Sequence, residues 1–145
     1  MISFFVPGTP APQGSKKHVG NGVMIESSKR LEPWRAVVAW AAKQHIKAPR
    51  AGAIRLDLHF VMPRPKSHFG TGRNADRIKP TAPDCHTQKP DIDKLERAIL
   101  DALTGVAYRD DSQVVKVVKS KRWIHFAADP AGVYITVEPL EELAA

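Results

Sequence analysis

The chain concentrates carboxylates in two short segments, although its overall charge is strongly positive. Asp91 and Asp93 stand one residue apart, and Asp110 and Asp111 follow downstream in a protein with a formal net charge of +7. Single acids in a first helical turn usually cap free N–H groups and complement the helix dipole. Two close pairs are harder to explain in that way, because clustered carboxylates repel one another unless a hard cation such as Mg²⁺ bridges their oxygens. The pattern therefore predicts a divalent metal site.

A helix must position the first pair. Apolar residues after Asp91 recur at spacings of three, four and seven, which predicts one buried stripe. Pro90 disfavours helix before it, Asp91 suits the N-cap, and Gly105 suits the end of a helix after Thr104. A second, polar stripe on the same helix is predicted to face solvent or a cleft, and it consists of Asp93, Arg97, Asp101 and Thr104.

The second acidic pair reaches the first if the chain reverses after this helix. Residues 93–104 rise roughly 18 Å at 1.5 Å per residue, and residues 105–109 can return about 17 Å when extended. The β-branched and aromatic residues of segment 106–108 favour such an extended course. We therefore expect Asp110 or Asp111 to lie beside Asp91 and Asp93.

The run KPDIDKLERAILDALTGVAYRDDSQV, residues 89–114, resembles the signature of the RusA family of Holliday junction resolvases. The segment from Val6 to Arg35 is similar to phage-type and actinobacterial members, so the resemblance covers most of the chain. It implies a homodimeric, Mg²⁺-dependent endonuclease, with Mn²⁺ as a substitute metal. Such an enzyme cuts four-way DNA junctions symmetrically in recombination and repair.

The resemblance also implies site residues. Asp91 and Asp93 match the family's D-x-D acids, and Asp111 matches the later catalytic acid, so these three are the predicted metal ligands. The sequence departs from the best-known pattern D-x-D-N-x-x-K, since Lys94 stands in the Asn place and Arg97 in the Lys place. Both cations belong to the predicted catalytic set. Arg97 cannot release a proton at usable pH, so its predicted role is an electrostatic clamp on phosphate.

Positive charge clusters outside the acidic segments and predicts a polyanionic partner, with 22 Lys and Arg against 15 Asp and Glu. The irregular segment 63–90, rich in proline and basic residues, indicates either a DNA-contacting loop or a plain, partly disordered insertion. Two interpretations also stay open for Lys16 and Lys17, which either contact DNA phosphate or are simply solvated. The predicted DNA contacts are Lys16, Lys17, Arg73, Arg77, Lys79, Lys89, Lys119, Lys121 and Arg122.

The length suits a single domain spanning residues 1–145. Periodicity predicts a helix over 33–47 besides the acidic one, and strands near 1–6, 53–62, 114–126 and 133–137, with a hairpin turn at 20–22. These elements predict an α+β fold, in which two principal helices pack against an antiparallel or mixed sheet of four to six strands.

Several classes are excluded or disfavoured. Cys85 is the one cysteine, which rules out an internal disulfide and favours a reducing cytoplasm. The family resemblance implies a bacterial or phage-encoded protein. No apolar run approaches about 20 residues, so no membrane span is predicted. Cys85 and His86 lack a second pair at zinc spacing, although His86 is close enough to Asp91 to reach the site. No glycine loop matches a nucleotide-binding pattern, so no nucleotide cofactor is predicted.

Resolving a four-way junction needs two opposed cuts, so a two-fold dimer with one site per chain matches the substrate, and Trp40 and Leu100 are candidate subunit contacts. Two alternatives stay open. One is a non-catalytic DNA-binding module whose Asp residues only cap a helix, but such a module needs no second acidic pair near phosphate. The other is a metal nuclease acting on flaps or other branched DNA, which the sequence does not separate from a junction resolvase.

Overall fold

The computed structural model describes residues 1–14, 16–18, 24–26 and 29–140, with residues 16–18 and 24–26 described by their backbone alone. In chain order the strands and principal helices are β1 (Ile2–Pro7), β2 (Lys16–His18), β3 (Met24–Glu26), α1 (Leu31–His45), β4 (Ile54–Met62), α2 (Ile92–Leu103), β5 (Val114–Trp123) and β6 (Gly132–Pro139). The hairpin turn predicted at 20–22 lies outside the described residues.

A four-stranded sheet in the order β1-β6-β4-β5 forms the framework of the described chain. β6 pairs antiparallel with both β1 and β4, whereas β4 and β5 are parallel. Parallel neighbours need a crossover connection, which the segment 63–90 and α2 provide. The sheet is therefore mixed, and with two helices packed against it the predicted α+β fold is confirmed.

One hydrophobic core joins the helices to the sheet. Leu56, Leu58 and Phe60 alternate along β4 and are fully buried, as are Leu95 and Ile99 on α2. The same core includes residues of α1 and β1. Alternation in the strand and the three-to-four spacing in the helix are what bring these side chains to one interface.

The helix boundaries differ little from the prediction. α1 begins at Leu31 and ends at His45, two residues earlier at each end than predicted from Pro33. The His45 ring stacks on Phe4 with 4.9 Å between centroids. α2 ends at Leu103, followed by Thr104 as its C-cap and Gly105 with a positive φ of 83°. Glycine suits that position because a side chain disfavours the left-handed conformation.

The segment 63–90 contains local structure, including the short 3-10 helices Lys66–His68 and Gly72–Asn74. A bridge joins Phe69 to Ile78, and the Lys79 N–H donates to the His68 carbonyl at 2.8 Å. Trp123 Nε1 donates to the Cys85 carbonyl at 3.0 Å and ties the segment to the end of β5. The described part of the chain contains no helix that is long and apolar enough to cross a membrane.

Candidate active site

The N-terminal end of α2 presents two carboxylates without hydrogen-bond partners among the described residues. Asp91 is the N-cap residue, and its carbonyl accepts from the N–H groups of Lys94 and Leu95 at 3.2 and 3.1 Å. Its side chain makes no capping hydrogen bond, and both Asp91 and Asp93 are exposed. The capping explanation of Asp91 therefore fails for the side chain, whose oxygens stay available to a ligand.

Other elements hold this end of the helix in place. Lys121 Nζ on β5 donates to the carbonyls of Gln88 and Pro90 at 2.8 and 3.0 Å. On the opposite side, the Gln13 N–H of the proline-rich loop after β1 donates to the Lys94 carbonyl at 3.0 Å. The site thus lies where the sheet, the segment before α2 and the loop after β1 meet.

A cavity of about 590 Å³ opens beside Asp91. Four cationic side chains line it, together with Asp91 itself: Arg30, Arg64, Lys89 and Lys94. The remaining wall is largely apolar, and it includes Met62 and the nearly buried Trp123. The cations can offset the charge of a phosphate, while the carboxylate of Asp91 offers oxygen ligands to a metal ion.

Aromatic and cationic groups cluster around Trp123. The Arg64 guanidinium lies 5.4 Å from the Trp123 ring centroid, and the His86 ring lies 4.3 Å from it. Burial, followed by the nearby charge of Lys121, lowers the pKa of His86 below its ordinary value. Burial therefore favours the neutral form of this imidazole.

Sequence reasoning missed Arg30, Arg64 and Trp123 as site residues. Each is distant in sequence from the acidic run, and only the fold brings them to its N-terminal end. His86 was placed within reach of the site, and the structure confirms that it lines the same cavity as Asp91.

The second acidic pair lies at the other end of α2, so the expected reversal along the helix is wrong. The Gly105 N–H donates to the Tyr108 carbonyl at 2.7 Å, and the Tyr108 hydroxyl donates to the Leu100 carbonyl at 2.7 Å. Gln113 Nε2 then donates to the Arg50 carbonyl at 2.8 Å. These bonds fold residues 104–113 into a tight turn at the helix C-terminus, roughly one helix length of 18 Å from Asp91.

The two members of this pair are in different situations. Asp110 caps the short 3-10 helix Asp111–Gln113, because its carboxylate accepts from the Ser112 N–H at 3.0 Å. That bond, followed by a contact with the Asp111 side chain, lowers the pKa of Asp110 below its ordinary value. Asp111 is half-exposed and does not act as the cap.

The polar stripe of α2 is also divided. Asp101 accepts a hydrogen bond from Gln13 Nε2 and lies 3.8 Å from Arg35 Nη1. Arg97 is exposed and forms no ion pair within the described part of the chain. A structural pairing of Arg97 with Asp93, one turn away, is therefore not formed.

The predicted DNA contacts fall into three groups. Lys119 pairs with Glu96 at 2.6 Å, Lys121 holds two backbone carbonyls, and Arg122 pairs with Asp129 at 2.9 Å. These three cations have partners in the fold, and their DNA contacts stay predictions. The side chains of Lys16 and Lys17 lie outside the described residues. Exposed cations without an ion pair in the described chain are Arg73, Arg77, Lys79 and Lys89.

The carboxylates of a single chain fit Mg²⁺ in part. Within residues 1–14, 16–18, 24–26 and 29–140, no group of three His, Cys, Asp or Glu side chains is arranged to hold a metal ion. Mg²⁺, however, commonly takes one or two carboxylates and completes its shell with water and substrate phosphate. Asp91 and Asp93 suit that arrangement because their oxygens have no other partner among the described residues. Asp111 does not join them within one chain.

Cations that line a cavity can bind phosphate, and a neighbouring carboxylate with free oxygens can help to hold a metal ion. The family described as endodeoxyribonuclease RusA matches residues 7–138, which is most of the chain, and the protein belongs to that family. A relative in Bacillus subtilis (strain 168), the uncharacterized protein YqaN, is 30% identical over 128 residues, covering 83% of this chain and 86% of its own.

Proposed function

We propose that this protein is a Mg²⁺-dependent, structure-specific endodeoxyribonuclease. It resolves four-way DNA junctions by symmetric phosphodiester hydrolysis in recombination and repair, and it acts in the cytoplasm. Membership of the RusA family supports the reaction class. The observation that carries the proposal is the pair of exposed carboxylates, Asp91 and Asp93, at the start of α2, where Asp91 lines a cavity that four cations also line.

Each side chain has a distinct part in this chemistry. Asp91 and Asp93 would hold Mg²⁺, which when bound activates water and stabilises the leaving oxygen. Lys94 lines the cavity and offsets the charge of the scissile phosphate. Lys89 lines the same cavity and contacts the adjoining DNA backbone. Arg97 is permanently charged and exposed, so it clamps a phosphate as charge develops.

A second copy of the chain supplies the opposed cut and completes the site. Trp40 on α1 is 66% exposed and Val37 is 43% exposed, and large exposed apolar side chains of this kind are typical of subunit contacts. Leu100 on α2 is half-buried and remains a candidate contact. A two-fold axis matches the symmetry of a four-way junction.

The dimer also gives Asp111 a role. Asp91 and Asp111 lie at opposite ends of α2, so one chain cannot bring them together. If α2 runs antiparallel to α2 of the second copy, each Asp111 approaches the Asp91 and Asp93 of the other chain. The exposed residues of the polar stripe, Asp93, Arg97 and Thr104, leave that face of the helix available for such an approach.

The test is a cleavage assay on a four-way junction, a flap and a plain duplex of matched sequence. We expect paired nicks on opposed strands of the junction in Mg²⁺ or Mn²⁺, and none in EDTA. Asp93→Asn serves as the matched inactive control, because Asp93 has no partner in the described chain and its loss leaves the fold intact. Faster cutting of the flap would reassign the substrate, and metal-independent binding without cleavage would leave a DNA-binding module.

A further inference from the structure

The loop after β1, residues 8–14, forms one wall of the cavity beside Asp91. Three of its residues line the cavity from this side: Thr9, Pro10 and Pro12. The middle of the loop is anchored because Ala11 is fully buried in the core. Toward the end of the loop, Gln13 makes the contacts that hold it to the helices.

Gln13 joins this loop to both principal helices. Its N–H donates to the Lys94 carbonyl on α2 at 3.0 Å. Its Nε2 donates to the carboxylate of Asp101, two helical turns further along α2, and its Oε1 accepts from Arg35 Nη1 on α1 at 3.1 Å. Gln13 is half-buried. Because both ends of its amide are bonded, the side chain has one preferred orientation and holds the loop in one place.

The same loop runs beside the side chain of Lys94. That side chain is half-buried and lines the cavity, and a Cβ atom built at Gly14 would lie 4.0 Å from its Cγ. A lysine stem is long and flexible, so a backbone wall beside it restricts where the ammonium group can lie. Displacing the loop would release this restriction.

We infer that Gln13 is a positioning residue, which holds the loop after β1 against α2 so that Lys94 keeps a fixed place beside Asp91. This inference rests on the proposed nuclease function, and it adds that Gln13 acts on the DNA through Lys94. Misplacing a substrate-positioning group by about 1 Å can cost about a hundredfold in rate. The loss of Gln13 therefore affects the chemistry, although this residue does not line the cavity.

The first experiment is a double-mutant cycle between Gln13→Ala and Lys94→Met, measured as the dissociation constant for a four-way junction in EDTA. Gln13→Ala should weaken binding about tenfold when Lys94 is present, and about twofold or less when Lys94 is already methionine. A purely structural role would weaken binding by the same factor in both backgrounds, because independent effects multiply. Gln44→Ala is the matched control and should bind normally, since this exposed amide bonds to its own helix at the Trp40 carbonyl, at 3.3 Å.

The second experiment exchanges the polar groups of Gln13 and Asp101 and measures kcat/KM on the junction in Mg²⁺. Gln13→Glu alone brings two carboxylates together, so it should displace the loop and lower kcat/KM about tenfold or more. Adding Asp101→Asn restores a hydrogen bond between an amide and a carboxylate, with donor and acceptor exchanged. Arg35 still meets a carboxylate in this double variant. The double variant should therefore regain most of the lost rate.

The outcomes separate the two proposals. Equal weakening of binding by Gln13→Ala in both Lys94 backgrounds, or unchanged binding and cleavage in every Gln13 variant, would overturn the positioning role and leave the nuclease standing. Coupled binding effects in a protein that never cleaves would support the positioning of Lys94 and overturn the nuclease. If Gln13→Ala does not fold, the exchanged pair decides. Recovery of cleavage by Gln13→Glu with Asp101→Asn supports the positioning role, and failure to recover overturns it.

Discussion

The two ends of α2 carry carboxylates in opposite situations. At the N-terminal end, the carboxylates of Asp91 and Asp93 are exposed and accept no hydrogen bond from the described chain. Toward the C-terminal end, Asp101 is held by Gln13 and Arg35, and beyond it Asp110 caps a short 3-10 helix. Residues of one type therefore serve stability at one end and remain available to a ligand at the other.

This contrast shows why counting acids does not locate a metal site. A carboxylate that accepts hydrogen bonds from its own chain has already satisfied its oxygens, and binding a cation would compete with those bonds. Asp111 belongs to neither group of acids. It is half-exposed and does not cap the 3-10 helix, yet it lies at the same end of α2 as Asp101 and Asp110. Substituting these acids one at a time tests whether metal binding depends on a carboxylate that is free of hydrogen bonds from its own chain, or on the acid's match to the family pattern.

The largest expected effect is on cleavage by Asp91→Asn, Asp93→Asn and Asp111→Asn. Each removes a charge needed to hold Mg²⁺, so each should reduce kcat on a four-way junction by about a hundredfold to a thousandfold or more. Thermal unfolding should change little for Asp91→Asn and Asp93→Asn. Asp110→Asn is the matched control, because asparagine caps nearly as well as aspartate. An inactive Asp110→Asn beside an active Asp111→Asn would mean that the two acids have been assigned in the wrong order.

A mixture of two inactive variants tests whether the ends of α2 meet between chains. In a heterodimer of Asp91→Asn with Asp111→Asn, a site shared between chains leaves one site with both native acids and one with neither. Co-refolded mixtures should therefore regain single-strand nicking, at roughly the rate of one site per heterodimer, without symmetric resolution. If each site were built within one chain, every site would lack an acid and the mixture would stay inactive.

The next effect concerns Arg97, which lies on the exposed stripe between the two ends. A merely structural i, i+4 pair with Asp93 would be worth only about 0.3–0.5 kcal/mol, and the structure does not form it. Arg97→Ala should lower kcat about a hundredfold while the melting temperature stays nearly unchanged. Arg97→Lys should recover part of the rate, since it restores the charge without the planar fork. Unchanged cleavage by Arg97→Ala would remove the phosphate clamp from the mechanism.

Local pattern predicted α2 well, with Asp91 as its N-cap. Proline before Asp91, glycine after Thr104 and the apolar spacing between them are all short-range signals, and the helix lies within one or two residues of its predicted bounds. Two strands of the sheet, β4 and β6, were similarly readable from alternation, as in Leu56, Leu58 and Phe60. Such signals depend on neighbours along the chain and not on the tertiary fold.

The course of residues 104–113 could not be read in the same way. The branched and aromatic residues at 106–108 suit an extended strand, but Ala107 and Tyr108 are fully buried in the core instead. Their position depends on Arg50, whose N–H donates to the Ala107 carbonyl at 3.0 Å and which is distant in sequence. Arg64 and Trp123 reach the site by the same kind of long-range packing, which no local periodicity encodes.

A smaller effect is expected on DNA binding. The acids repel phosphate when no metal is present, so Asp91→Asn should bind a four-way junction in EDTA at least as tightly as the unmodified protein. Affinity should fall steeply with salt, with a slope of about −0.9 per phosphate neutralised. Lys79→Ala should reduce that slope by about one without changing stability, because Lys79 has no ion pair in the described chain. Loss of binding by Asp91→Asn would contradict this separation of binding from cleavage.

Lys121→Ala is the matching test for a predicted DNA contact that already has hydrogen-bond partners in the fold. Its Nζ holds the carbonyls of Gln88 and Pro90 before α2, so its removal should lower the melting temperature as well as the rate. A salt slope that changes with no loss of stability would instead assign Lys121 to the DNA contacts.

The smallest expected effect is a change in stability without a change in cleavage. It gives the most direct comparison of the acids at the two ends of α2. Asp101→Asn should lower the free energy of unfolding by about 0.2–1 kcal/mol, because its pair with Arg35 is partly exposed, with side-chain exposures of 34% and 30%. Asparagine retains an oxygen for Gln13, so the loop after β1 should stay in place. Cleavage by Asp101→Asn should be unchanged, whereas Asp93→Asn should show the reverse pattern of normal unfolding and lost cleavage. Denaturant unfolding and junction cleavage of the two variants, measured side by side, check both statements. If Asp101→Asn lost activity at full stability, the chemistry would extend along α2 beyond its N-terminal end.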